Sequence, residues 1–151
     1  MKKLILLALV LVGVAGYIWV KFYSDEWLAE FNDERQNAAA EFRQQGQAFG
    51  QQSTQQGCFD QALTSVEDCR SPICMVDSGN FLRGCFETSA ETPNFCEGVP
   101  AYQTKITEDE KSWARYGCWD INNKSDGCRL LKRQQQALCS NIDTSIETEV
   151  N

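Results

Sequence analysis

The chain has 151 residues, 14 basic against 21 acidic, for a net charge of −7, with eight cysteines and no histidine. Without histidine, the imidazole ligands of many metal sites and the usual base of a serine or cysteine nucleophile are missing. The acidic balance repels nucleic acid and anionic lipid head groups, so no nucleic-acid partner is expected.

Lys2 and Lys3 precede an uncharged, mostly apolar run from Leu4 to Val20. As a helix this run covers about 25 Å, slightly less than a hydrocarbon core of about 30 Å. Lys21 can snorkel, and Tyr17, Trp19, Phe22 and Tyr23 suit the membrane interface. Residues 4–20 are therefore expected to enter a membrane. Basic residues before the run and Asp25, Glu26 and Glu30 after it favour an N-terminus inside and a C-terminal part outside. The expected location is the inner (plasma) membrane, single-pass, with a cytoplasmic N-terminus and the rest periplasmic or extracellular. Small residues at Val14-Ala15-Gly16 allow the alternative of a cleaved signal peptide and a secreted product.

Residues 24–56 read as a long helical stalk, with Ser24 as N-cap and Asp25 and Glu26 in the first turn. Trp27, Phe31, Ala38, Phe42 and Phe49 recur at intervals of four and seven, a thin apolar stripe on a polar helix. Trp27 and Phe31 are candidate contact residues. The stripe suits packing on the same domain, a membrane-to-head stalk, or a homo-oligomeric seam. Gly46 and Gly50 weaken the end of the helix by about 1 kcal/mol each, and Gln44–Gln56 reads as its solvated tail.

All eight cysteines, Cys58, Cys69, Cys74, Cys85, Cys96, Cys118, Cys128 and Cys139, fall in a segment read as a cysteine-rich helical domain, residues 57–141. Residues 1–23 are then the anchor and 142–151 a flexible tail. An even number of cysteines with no C-x-x-C spacing argues for structural disulfides made after export, rather than for zinc or a redox motif. No metal and no cofactor is expected. A four-residue pattern recurs: Gly57-Cys58-Phe59-Asp60, Gly84-Cys85-Phe86-Glu87 and Gly117-Cys118-Trp119-Asp120, each followed by another cysteine.

Helices are predicted from Cys58 to Glu67, after Ser71-Pro72, from Asn80 to Thr88, briefly after Thr92-Pro93, after the capping-box pattern Thr107-x-x-Glu110, and from Cys128 to Leu138. Alternating β-branched runs are absent, so the fold class is all-α: an N-terminal transmembrane helix, a helical stalk and a small disulfide-stapled head.

Two pairings suit the spacings. In one, each repeat closes on itself, as Cys58–Cys69, Cys85–Cys96 and Cys118–Cys128, leaving Cys74–Cys139. In the other, two helices form a hairpin with Cys69–Cys74 at the turn and Cys58–Cys85 at the open end. An eleven-residue step returns to nearly the same helix face, which favours the hairpin. The layout resembles a twin C-x9-C helical hairpin in outline, but its intervals differ and no family follows from it.

No catalytic residue is assigned. Asp60, Glu87 and Asp120 occupy equivalent repeat positions, which suit helix caps or surface pairs with Arg70, Arg83 or Arg115 better than a shared acid–base cleft. Trp113, Tyr116 and Trp119 cluster within seven residues and are the candidate protein-binding residues, unless the tryptophans fill a core short of large side chains. The expected function is a non-enzymatic, membrane-anchored binding module of a bacterial-type envelope, a subunit or assembly factor of an envelope or secretion complex with an envelope protein as partner. An inhibitor or immunity protein against an exported enzyme or toxin is the alternative, followed by a small exported hydrolase.

Overall fold

Hydroxyl side chains start four of the five α-helices in the computed structural model, which describes residues 2–141. The helices are α1 (Lys2–Gly50), α2 (Gln55–Glu67), α3 (Pro72–Thr88), α4 (Glu108–Asp120) and α5 (Asp126–Cys139). Thr54, Ser71, Thr107 and Ser125 are the N-caps of α2 to α5, each accepting a bond from a backbone N–H of the first turn. Pro72 opens α3, where its missing N–H costs nothing. The protein is all-α and rich in disulfides. A lone bridge between Thr54 and Ala90 ties the start of α2 to the end of α3.

The chain forms two compact units, one ending at Ala38 and one beginning at Ala39. In the first, α1 is continuous through residue 24, so Ser24 does not cap a new helix. No glycine or proline lies between Tyr17 and Gln45 to interrupt it. The side chains of Phe22, Tyr23, Ser24 and Asp25 and the tail 142–151 lie outside the described residues. Near its N-terminus α1 is long and apolar enough to cross a membrane, and Leu9–Leu11, Tyr17 and Trp19 are all exposed. Farther along, Trp27 stacks on Phe31 with ring centroids 5.7 Å apart, both rings exposed.

The second unit opens with the last three turns of α1, which are not a solvated tail. Gly46 and Gly50 are buried against the backbone of α3. A Cβ on Gly46 would lie 2.1 Å from the Phe81 carbonyl oxygen, and one on Gly50 2.3 Å from that of Cys85. From the opposite side, a Cβ on Gly84 would lie 2.0 Å from the Arg43 carbonyl oxygen. Three glycines thus let two helix backbones touch, a gain that offsets their poor helix propensity. Around the crossing, Phe49 packs on Phe81 at 5.7 Å, Arg43 pairs with Glu87, and Thr88 Oγ1 donates to the Gln47 carbonyl at 2.7 Å. The helix ends at Gly50, earlier than expected, and residues 51–54 turn into α2.

Helices α2 and α3 form a hairpin closed by Cys69–Cys74 at the turn and Cys58–Cys85 at the other end, each with Cα atoms 5.7 Å apart. Cys118–Cys128 joins α4 to α5, and Cys96–Cys139 joins the loop after α3 to the end of α5. The hairpin scheme accounts for the first two bridges and the self-closing scheme for Cys118–Cys128. Cys96–Cys139 belongs to neither. Helix α3 is one element rather than two starts. The segment after Thr92-Pro93 is a run of turns instead of a helix, because Asn94 and Gly98 adopt left-handed backbone angles of 64° and 71°.

The core lies between α2, α3 and α5. Phe59, Ala62, Val66, Leu82, Phe95 and Leu131 surround the Cys58–Cys85 bridge, all nearly or fully buried. Phe95 meets Phe59 edge-on at 6.1 Å and Phe86 at 5.5 Å. Ile73 and Val76 of α3 and Trp119 of α4 are exposed. Ile73 is nine residues from Leu82 and so lies half a turn around α3 from the buried face.

Two stability measurements follow. Gly84→Ala is expected to lower stability by about 1–3 kcal/mol in urea unfolding, because backbone must shift to admit the methyl. Gly16→Ala, where a Cβ meets nothing within 4 Å, should leave the transition unchanged. Among the bridges, the double serine variant at Cys96 and Cys139 opens a 43-residue separation and the one at Cys69 and Cys74 a 5-residue separation. Loop-closure entropy gives losses of about 4 and about 2 kcal/mol respectively.

Candidate protein-binding face

Helix α4 carries the candidate residues, and it is fixed at both ends. At its start, Thr107 and Glu110 form a reciprocal capping box: the Thr107 hydroxyl accepts from the Glu110 N–H, and the Glu110 carboxylate accepts from the Thr107 N–H at 2.7 Å. At its end, buried Cys118 bridges to buried Cys128 of α5.

Glu110 does more than cap. Its side chain is buried and also accepts from Arg133 at 3.2 Å and Gln136 at 3.3 Å. Gln136 reaches the Pro100 carbonyl, Gln135 donates to the Phe95 carbonyl at 3.1 Å, and Arg133 lies over the Tyr102 ring at 4.3 Å while donating to the Gln103 carbonyl. These polar residues of α4 and α5 hold the irregular segment 93–103 in place. The Thr107 N–H, ahead of the Thr107 hydroxyl and the charge of Arg133, holds the Glu110 carboxyl below the usual carboxylate range against the opposing effect of burial.

Trp113 is half-buried under Lys132, whose ammonium lies 5.4 Å from the Trp113 ring and 5.1 Å from the Phe59 ring. Burial pushes the Lys132 pKa down, with Asp120 opposing. Trp113 is therefore part of the packing. Tyr116 and Trp119 are not: they are 57% and 48% exposed, and meet edge-to-face with centroids 5.4 Å apart. Ile121, the C-cap of α4, is 50% exposed as well. Trp27 and Phe31 belong to the first unit and form their own exposed stack.

The three repeat acids take separate partners. Asp60 accepts from Gln56, Glu87 from Arg43 and Gln47, and Asp120 influences Lys132. The glycines of the repeat also serve different ends, Gly84 against α1 and Gly117 against the Lys132 stem. Among the described residues no group of histidine, cysteine, aspartate or glutamate is arranged to hold a metal, and all eight cysteines are in disulfides.

One feature escaped the sequence reading. A cavity of 240 Å³ runs between α4 and α5, with Lys111 and Arg115 on one wall and Arg129 and Arg133 on the other. The signal was present as two basic pairs, each with a spacing of four, on helices flanking the Cys118–Cys128 link. No protein-family model, curated protein or solved structure matches the chain.

The Glu110 cluster sets a pH dependence. A carboxyl held below its unfolded value of 4.5 contributes stability that is complete above that pH and is lost as pH falls through the lower, folded value. Urea unfolding between pH 6 and pH 3 should show this fall. Glu110→Gln should flatten it and lower stability at pH 6 by on the order of 2 kcal/mol, from a weakened cap and an unpaired Arg133.

Proposed function

We propose that this protein is a non-enzymatic binding module, held on the outer side of the plasma membrane by α1 and docking an envelope protein as subunit or assembly factor of a larger complex. The observation that carries this reading is the exposed Tyr116–Trp119 pair with Ile121 on a helix pinned by a capping box and a disulfide. Aromatic anchors on a rigid element bind at little entropic cost, since few rotamers remain to be frozen. The exposed apolar start of α1 supports the anchor, with residues 4–20 in the bilayer and the N-terminus inside. Four disulfides support an oxidising compartment, periplasmic or extracellular. The exposed Trp27–Phe31 stack supports a further contact between copies along the stalk.

The test is affinity purification from detergent-solubilised membranes after chemical cross-linking. The full-length protein is expected to recover a defined envelope partner, and the Tyr116→Ala/Trp119→Ala double variant to lose it by about thirtyfold or more, as a hot spot of 2 kcal/mol or more requires. Recovery of the wild-type protein alone and monomeric would remove the complex-subunit reading.

A further inference from the structure

The cavity between α4 and α5 stands out against the charge of the chain. In a protein of net charge −7, four of the 14 basic residues gather on its two walls. Their commitments differ. Arg133 is tied to buried Glu110 and to the Gln103 carbonyl. Lys111 pairs with Glu108 and Arg129 with Asp126, both one turn away on the same helix and with exposed side chains. Exposed pairs of this kind are worth at most about 1 kcal/mol and yield readily to a competing carboxylate. Arg115 makes no ion pair among the described residues and is felt by Glu108 only through its charge.

Ile106, 38% exposed, and buried Ala114 give the cavity an apolar part, while buried Glu110, already taken up by Arg133 and Gln136, lines it beside Gln136. The site thus offers a guanidinium with free donors beside a small apolar patch. Its volume lies below the roughly 300 Å³ at which drug-sized pockets begin, so it suits one or two side chains rather than a cofactor. Four cations set against Glu108, Glu110 and Asp126 leave a small positive excess, which matches a single carboxylate better than a dianionic phosphate. Arg115 also lies one turn from Trp119 on α4, next to the aromatic pair.

We infer that the α4–α5 cavity binds an acidic segment of a partner protein, a glutamate or aspartate carboxylate on Arg115 and Arg129 with a neighbouring aliphatic side chain over Ile106 and Ala114. The inference rests on the reading of the head as a protein-binding module and supplies the chemistry of its partner. Arg115 supplies the planar fork that grips a carboxylate through two parallel N–H donors. Arg129 exchanges Asp126 for the incoming group.

The full-length protein in non-ionic detergent micelles is titrated, by calorimetry, with a terminally blocked hexapeptide of alternating leucine and glutamate. Matching titrations use the leucine–glutamine peptide, sodium acetate and inorganic phosphate. The acidic peptide is expected to saturate with one site, and Arg115→Gln and Arg129→Gln each to weaken it about tenfold, as charge-assisted bonds require. Raising sodium chloride from 50 to 500 mM should weaken it as well, a readout that needs no folded variant. The leucine–glutamine peptide and acetate should bind at least tenfold more weakly. No saturation by the acidic peptide, tighter binding of phosphate, equal binding of the uncharged peptide, or insensitivity to both salt and the two substitutions would each overturn the inference. If the acidic peptide fails while a Trp119-dependent partner still co-purifies, the cavity inference falls and the binding-module reading stands. If the peptide binds and no partner is recovered, the cavity inference stands and the complex-subunit reading falls.

Discussion

Cys58 and Cys85 are 27 residues apart in the chain and 5.7 Å apart in space, and the bridge between them is fully buried at the centre of the core. What surrounds it is apolar, but few of those side chains are both large and fully buried. The largest fully buried side chains are Leu82, Leu131, Gln136 and Val66, followed by cysteines. A domain with so little apolar volume has a thin margin over the conformational entropy it must overcome. The bridges act on the other side of that balance, by removing freedom from the unfolded chain. This is why Gln135 and Gln136 are tolerated inside: with covalent closure carrying part of the stability, buried positions can be given to amides that hold the loop 93–103 through its carbonyls.

The same constraint explains what sequence reasoning reached. Local chemistry was legible. Ser71-Pro72 starts α3, Thr107 and Glu110 close a capping box, and the eleven-residue cysteine step puts Cys74 and Cys85 on one face of α3, to meet Cys69 just past the end of α2 and Cys58 within it. Each of these is settled within about three turns of helix, where spacing determines geometry.

What failed to show was tertiary. Gly46 and Gly50 read as weak helix formers and Gly84 as part of the cysteine repeat, and nothing within α1 or α3 says that the two backbones touch there. Cys96–Cys139 joins an irregular loop to a helix end over 43 residues, a closure that no periodicity encodes. Trp119 was ambiguous for a related reason. On a short helix beside a small core, an aromatic residue suits the inside and the outside equally, and the packing of Lys132 over Trp113 decides which tryptophan is covered. The site was legible as a cluster of aromatics on one helix, while the basic cavity beside it depends on α5 lying against α4.

The distribution of charge gives the two sides of that face different reach. At physiological ionic strength a surface charge is felt over about 8 Å. Within that distance an approaching anion first meets the average of an acidic chain and is repelled; only at contact do Arg115 and Arg129 outweigh Glu108 and Asp126. Long-range steering and short-range attachment therefore oppose each other for an acidic ligand. A free anion gains too little at contact to overcome the approach. A carboxylate delivered alongside an apolar side chain has a second source of free energy that does not depend on charge, namely burial against Ile106, Ala114 and the neighbouring Tyr116–Trp119 edge. In the proposed docking mode, opposing the two ranges in this way would favour segments that carry both features over free anions.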